Sequence, residues 1–112
     1  QYGLPVKIVN LNNRALGMVK QWQDMQYGGR YSSISYEDSL PDFVKLAESF
    51  GHLGLKVEKF SELNSAMEEA FSLKDRLVFL DVLIDPDEHV YPMLEAGGSM
   101  SEMRISKKDK TF

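Results

Sequence analysis

The sequence of 112 residues has no cysteine and no long apolar run. The absence of cysteine excludes disulfide bonds, thiolate metal sites and cysteine nucleophiles, and it is compatible with a reducing compartment. No apolar run reaches membrane-spanning length, and no signal-peptide pattern is present. Nothing in the sequence therefore indicates a membrane partner.

Positive charge is also scarce. The formal net charge is −4, from 13 lysine and arginine residues against 17 aspartate and glutamate residues. The basic residues are scattered, apart from a short cluster at 107–110 that we expect to be a frayed tail. This distribution argues against nucleic acid or an anionic membrane as the partner.

At this length the chain is one domain or part of one. Gly3 and Pro5 stand just before an apolar stretch, and these residue types commonly follow the end of a helix. We therefore expect a helix upstream of the sequence, with this chain as one piece of a longer protein.

Three apolar segments alternate with helical patterns, which predicts an α/β fold with a parallel sheet. Residues 6–11 and 77–84 are apolar at nearly every position, as is typical of strands covered on both faces. Residues 55–60 alternate between apolar and polar, which predicts an edge strand or one wet face. We expect a partial parallel sheet flanked by helices over residues 1–84 and an irregular C-terminal arm over residues 85–112.

The first predicted helix, at about 15–26, carries two apolar stripes. Leu16 and Val19 form one stripe, and Met18, Trp22 and Met25 form the other at helical spacing. Two stripes indicate two packing neighbours. The common role of such a stripe is core packing, and the alternative for Met18 and Trp22 is the wall of a pocket.

The two later helices have recognisable start and stop signals. Ser39 and Asp42 have the spacing of a capping pair, and Gly51 is placed to end that helix. Ser61 is placed to cap the third helix, whose buried stripe we expect to consist of Leu63, Ala66, Met67, Ala70 and Phe71.

The pair Asn12 and Asn13 follows the first strand where a helix begins. In open α/β sheets, ligands bind at this carboxyl edge, and a carboxamide oxygen is a hard, neutral ligand suited to Mg²⁺ or Ca²⁺. The pattern therefore indicates a site for phosphate and a cation. The alternative is a simple turn in which the asparagines cap the helix, because asparagine is a favoured N-cap residue.

Other polar residues suggest structural roles. His52 follows a helix-ending glycine and is expected at the surface, while His89 lies in a turn that we expect to be acidic and solvated. Asp81 falls within an apolar strand, which predicts a buried, hydrogen-bonded carboxylate.

Three strings along the chain are informative together: residues 11–24 (LNNRALGMVKQWQD), residues 40–48 (LPDFVKLAE) and residues 88–93 (EHVYPM), the last followed by Gly97 and Gly98. In this order they resemble the large catalytic subunit of acetolactate synthase, also called acetohydroxyacid synthase. The asparagine pair resembles the closing half of the thiamine diphosphate motif, whose Gly-Asp-Gly opening is absent from this sequence.

The resemblance implies that the chain is the C-terminal part of a thiamine diphosphate-binding domain. It implies a transferase that condenses two 2-oxoacids with loss of CO₂, joining pyruvate to pyruvate or to 2-oxobutyrate. The implied cofactors are thiamine diphosphate, Mg²⁺ and FAD, with FAD bound by another domain. Also implied are a homodimer or larger assembly, a small regulatory subunit, the bacterial cytoplasm, and a role in valine, leucine and isoleucine biosynthesis.

The resemblance also implies roles for particular residues. Asn13 would supply its side-chain oxygen, and Ala15 its backbone carbonyl, to Mg²⁺. Gly17 and Met18 would lie close to the cofactor, and Met18 and Trp22 would line the substrate pocket. No catalytic residue is assigned within this chain, so the isolated piece is expected to be inactive.

The segment around residues 97–98 would fold over the entrance of the site. Two other functions remain open. One is a different thiamine diphosphate carboligase or decarboxylase, such as a relative of glyoxylate carboligase. The other is a non-catalytic α/β interaction module. A Gly-Asp-Gly in the upstream reading frame would favour an enzyme, and a start codon there would favour the module.

Overall fold

Three parallel strands and three α-helices are seen in a computed structural model that describes residues 2–36, 38–106 and 108. The elements follow the predicted α/β order. They are β1 (Lys7–Asn12), α1 (Gly17–Tyr27), α2 (Phe43–Ser49), β2 (Leu53–Val57), α3 (Phe60–Ser72), β3 (Val78–Leu83) and a 3₁₀ turn (Met100–Glu102). The chain divides into a sheet unit (residues 1–15 and 36–85) and a helix–arm unit (residues 16–35 and 86–112).

The sheet of the first unit has the strand order β1-β3-β2. Both pairings are parallel, and Val78 of β3 stands in register with Lys7 on one side and Leu53 on the other. The prediction that residues 77–84 form a central strand is confirmed. Within the described residues the second strand pairs only with β3, in agreement with the predicted edge position, although it begins earlier and ends at Val57.

The prediction that β1 is covered on both faces is wrong for the described part of the chain. β1 pairs only with β3 there, and the side chains of Val9 and Leu11 are 42% and 64% exposed. Apolar composition indicates what a strand can pack against, but it does not identify the segment that covers it.

The core of the sheet unit lies where α3 packs on β2 and β3. Its buried members are apolar residues from these three elements, namely Val57, Ala70, Val78, Leu80 and Val82. Leu63 and Met67 of α3 pack against this cluster, as the helical stripe predicts. Phe71 is not part of this packing, and the residue is 49% exposed.

Asp42, rather than the predicted pair with Ser39, caps α2. Its side-chain oxygen accepts a hydrogen bond from the backbone N–H of Lys45 at 3.1 Å. This bond favours the carboxylate and lowers the pKa of Asp42 below its ordinary value. Gly51 follows the helix at a φ of +77°, as expected for a helix-ending glycine.

The start of α3 also differs from the prediction. The helix begins at Phe60, and the Glu62 carboxylate accepts bonds from the backbone N–H groups of Glu58 and Lys59 at 3.0 and 3.1 Å. Glu62 therefore anchors this helix start, the role expected of Ser61. A carboxylate three residues into a helix can satisfy N–H groups that precede the first turn.

Gly54 allows the backbone of α2 to lie directly against β2. A Cβ atom added at Gly54 would stand 2.6 Å from the Cα of Val44 and 2.7 Å from its carbonyl oxygen. Backbone atoms cannot move aside as a flexible side chain can, so we expect Gly54→Ala to lower the free energy of unfolding by about 2 kcal/mol. Urea unfolding measures this change. The exposed Asn64→Ala on α3 is the control, and equal stability of the two variants would contradict the close approach.

The helix–arm unit consists of α1, the loop that follows it (residues 28–35) and the arm (residues 86–112). Gly28 ends α1 in a left-handed conformation at φ +59°, and the loop that follows buries Ile34. In the arm, Met93 and Arg104 form an isolated antiparallel bridge with two backbone hydrogen bonds of 2.8 Å. Most of the tail at 107–110 lies outside the described residues. No helix in the described part of the chain is long and apolar enough to cross a membrane.

Candidate functional site

Asn12 and Asn13 form two successive turns at the end of β1. The side-chain oxygen of Asn12 accepts a bond from the Arg14 N–H at 3.0 Å, and that of Asn13 accepts one from the Ala15 N–H at 3.1 Å. Arg14 has a φ of +56°. Neither asparagine caps α1, whose N-cap is Leu16 without a side-chain cap. The alternative in which the asparagines cap the helix is therefore wrong, although both asparagines do form a turn.

Asp81 fixes the orientation of Asn12 from the neighbouring strand. The Asn12 amide donates to the two Asp81 carboxylate oxygens at 3.1 and 3.3 Å, and the Asn10 amide donates to one of them at 2.8 Å. Asp81 is buried, which confirms the prediction of a hydrogen-bonded buried carboxylate. The amide nitrogen of Asn12 is thus directed to β3, which leaves its oxygen to hold the turn.

An open cavity of about 240 Å³ lies beside these turns at the carboxyl end of β1. Its lining consists of strand-end and turn residues with three residues from the following segment, namely Asn10, Leu11, Asn12, Asn13, Arg14, Ala15, Tyr36, Leu40 and Phe43. Asn13 and Ala15, the two residues expected to provide oxygen ligands, are both part of this lining. A carboxamide oxygen has two lone pairs, so Asn13 can hold its turn and still bind a cation.

The donor set of this cavity is of the hard, neutral type. Hard oxygen ligands suit Mg²⁺, which is usually bound by few protein groups together with phosphate oxygens. The lining contains no carboxylate, and among the described residues no group of three or more histidines, cysteines or acids could hold a metal. The residues therefore fit part of a magnesium–diphosphate site, which would need negative charge from other groups.

The remaining predicted site residues lie on α1, in the helix–arm unit. Gly17 is the first residue of α1. Met18 is 62% exposed, and Trp22 is half-buried. The structure thus brings Asn13 and Ala15 together at one turn, while the roles of Gly17, Met18 and Trp22 stay predictions.

The buried residues of α1 are Lys20 and Gln21, which the sequence analysis missed. Leu16 and Val19, one of the expected apolar stripes, are each more than 40% exposed. The sequence did contain one signal for the position of Lys20. Lys20 and Asp24 are four residues apart, and opposite charges at this spacing pair on a helix. Apolarity alone did not identify which face of α1 is buried.

Lys20 is the centre of a polar cluster within the helix–arm unit. Its ammonium group donates to Asp87 at 2.6 Å and to Asp24 and the Tyr31 hydroxyl at 3.1 Å each. Burial alone would lower the pKa of Lys20, but these three hydrogen bonds outweigh it and raise the pKa above its ordinary value. Lys20 is therefore a permanently charged anchor that joins α1 to the loop and to the arm.

His89 belongs to the same cluster, so the expected solvated position is wrong for it. Its side chain is only 4% exposed, and its Nε2 lies 2.8 Å from the Asp24 carboxylate. Tyr31 donates its hydroxyl to the same carboxylate. Burial alone would raise the pKa of Asp24, but the bonds from Tyr31, Lys20 and His89 outweigh it and lower the pKa.

This lowered pKa makes stability depend on pH. The Asp24 carboxylate stabilises the folded state above its ordinary pKa of about 4, and this contribution is lost as the pH falls through the lower folded value. We expect Asp24→Asn to be less stable than the wild type at pH 7 and the difference to shrink towards pH 2. Urea unfolding across this range measures it. Two parallel stability curves would show that Asp24 is not held in this way.

Comparison with known proteins places these turns in a recognised domain. Residues 1–82 match the family described as thiamine pyrophosphate enzyme, C-terminal TPP binding domain. The chain belongs to this family. Thiamine pyrophosphate is another name for thiamine diphosphate, the cofactor that the resemblance implies.

Individual relatives of this thiamine diphosphate domain match almost the whole chain. The chain is 59% identical to the acetolactate synthase large subunit of Haemophilus influenzae over 107 residues, which is 96% of the chain and 18% of that protein. It is 58% identical to the acetolactate synthase isozyme 3 large subunit of Escherichia coli K12, over 99% of the chain and 20% of that protein. The resemblance read from the three strings is confirmed, and the chain spans about a fifth of these relatives.

Proposed function

We propose that this chain is the C-terminal part of an acetolactate synthase large subunit. The whole protein would condense two 2-oxoacids with loss of CO₂, with pyruvate as donor and pyruvate or 2-oxobutyrate as acceptor. The observation that carries the proposal is the turn of Asn13 and Ala15 beside the cavity at the carboxyl end of β1, in a chain whose relatives bear that name.

In this proposal Asn13 and Ala15 provide two neutral oxygens to Mg²⁺, which neutralises the coenzyme's diphosphate. Asp81 keeps Asn12 in place, and the Asn12 turn sets the position of the next residue. When bound, thiamine diphosphate supplies stabilisation of a carbanion, while the protein supplies position and electrostatics. No residue of this chain is assigned a chemical step, so the chain alone is expected to be inactive.

The proposal also covers residues of α1 and groups that lie elsewhere in the whole protein. On α1, Gly17 and Met18 are assigned to the cofactor, and Met18 and Trp22 to the pocket of the second 2-oxoacid. FAD would be bound by another domain. A homodimer or larger assembly, a small regulatory subunit and the bacterial cytoplasm complete the proposal, since the names of the relatives include large subunits of bacterial enzymes.

Calorimetric titration of thiamine diphosphate with Mg²⁺ tests the proposal directly. The titration is made into this chain and into the full-length protein. Binding to the full-length protein alone is expected, because the cavity lining of this chain contains no carboxylate to bind Mg²⁺ and would provide only part of the coenzyme contacts. Binding to neither would remove the coenzyme function and favour an α/β interaction module, and binding to both would contradict an incomplete site.

Trp22 distinguishes acetolactate synthase from a relative with a different acceptor, such as a glyoxylate carboligase. A tryptophan provides a large, rigid pocket wall, so its loss should act on the choice of acceptor. We expect Trp22→Leu in the full-length protein to weaken the preference for 2-oxobutyrate over pyruvate. The ratio of the two products in a mixture of both substrates measures this preference. An unchanged ratio would count against the pocket role.

A further inference from the structure

Two glutamines of α1 hold backbone segments in the same way. The Gln21 side chain accepts a bond from the Val90 N–H at 3.0 Å and donates to the Val90 carbonyl at 2.8 Å. The Gln23 side chain accepts from the Ser32 N–H at 2.9 Å and donates to the Ser32 carbonyl at 3.2 Å. Gln21 therefore attaches the arm to α1, and Gln23 attaches the loop.

The two attachments differ in burial. Gln21 is only 1% exposed, and its amide nitrogen also contacts the Met93 sulfur at 2.9 Å. The Gln23 bonds are exposed to solvent. A buried carboxamide is costly unless its donor and acceptor are both paired, so Gln21 fixes one register of the arm, whereas water can replace the Gln23 bonds.

The arm is attached to α1 at three successive points. Asp87 pairs with Lys20, His89 contacts Asp24, and Val90 is held by Gln21. All three partners lie within two turns of α1. Because residues 87–90 are tied at this spacing, the arm cannot slide along α1 without breaking buried polar contacts.

Gln21 also adjoins the residues proposed for the pocket. It follows Met18 by three positions and precedes Met25 by four, so it shares a side of the helix with the stripe that includes Trp22. We infer that Gln21 is a positioning residue: it holds the arm against α1 and thereby sets the shape of the pocket that Met18 and Trp22 line. This inference rests on the proposed function.

Hydrogen exchange in the full-length protein tests the attachment without reference to activity. Gln21→Met keeps the length of the side chain and removes both hydrogen bonds, so we expect the Val90 amide to exchange at least about 10-fold faster. Gln23→Met is the matched control, which should accelerate Ser32 and leave Val90 unchanged. Unchanged exchange of Val90 in Gln21→Met would overturn the inference.

Steady-state kinetics then test positioning. For Gln21→Met we expect the KM for the 2-oxoacid to rise about 5-fold or more with kcat within about 2-fold, because arm contacts act on binding rather than on a chemical step. Gln23→Met should keep the wild-type KM. If the unmutated full-length protein does not condense 2-oxoacids, the proposed function is overturned, and the pocket role with it. If the unmutated protein is active but Gln21→Met has the same KM, only this inference is overturned.

Asp87→Ala provides a second variant in case Gln21→Met folds poorly. The Asp87 side chain is 57% exposed, so its removal disturbs packing little, yet it deletes the arm's bond to Lys20. We expect the KM to rise about 2-fold to 3-fold in the same direction, again with kcat nearly unchanged. A wild-type KM in Asp87→Ala, with Gln21→Met unfolded, would overturn the positioning role.

Discussion

Replacing Asn13 with alanine should weaken Mg²⁺ binding by the full-length protein by about 100-fold or more, because a direct ligand matters at least as much as its supporting residues. The change removes one proposed ligand oxygen. It also removes the bond that holds the Ala15 N–H at 3.1 Å, so the second proposed ligand, the Ala15 carbonyl, loses its fixed position. One substitution therefore acts on both proposed oxygens of this chain.

The affinity is measured by titrating Mg²⁺ into protein saturated with thiamine diphosphate, and by activity at limiting Mg²⁺. Asn13→Asp retains an oxygen for the turn and for the metal, so it should keep most of the affinity. Asn64→Ala, exposed on α3, controls for the loss of an amide elsewhere. Normal activity of Asn13→Ala at limiting Mg²⁺ would rule out the ligand role.

The type and order of the elements were predictable because their signals are local. Continuous apolar runs, helical stripes and glycine stops predicted three parallel strands, three helices and the central position of β3. The asparagine pair was equally local, since a strand end, a turn and a helix start adjoin in the sequence. Hydrophobic periodicity reports the period of an element, and this was sufficient to predict the type and order of the elements.

The residues that support the site were not predictable in the same way. Asp81 is 69 residues from Asn12, and the alternation of Asn10 and Asn12 reads as a polar strand face until β3 is placed beside it. Position 81 was identified as a buried carboxylate, but its donors were not. A single sequence does not contain the register that puts Asn10 opposite Asp81.

On α1 the apolar pattern failed for a physical reason. Lys20 and Gln21 are buried because residues 67 to 69 positions away supply an acid and a paired backbone group. A polar residue is expected outside unless such partners are known. The stripe of Leu16 and Val19 shows the converse, since apolar side chains remain exposed where no partner covers them in the described part of the chain.

Replacing Asp81 with alanine should damage stability and metal binding together. The change removes the acceptor of the buried Asn12 amide and of the partly buried Asn10 amide, and we expect a loss of about 3 kcal/mol in the free energy of unfolding. Freed from Asp81, Asn12 can rotate and release the Arg14 N–H, which loosens the turn that precedes Ala15. Residues that orient a metal ligand typically contribute about 10-fold to 100-fold in affinity, and we expect that loss for Mg²⁺ here.

Urea unfolding and Mg²⁺ titration of the same protein separate the two effects of Asp81→Ala. Asp75→Ala, whose side chain is 74% exposed beside Arg76, should leave both measurements at the wild-type values. Gly54→Ala provides the sharper comparison, because it should cost stability at a position that does not line the cavity of Asn13. If both variants lose stability but only Asp81→Ala loses Mg²⁺ affinity, then Asp81 supports the site through Asn12. Equal Mg²⁺ affinity in the two variants would mean that the asparagine turns keep their shape without Asp81.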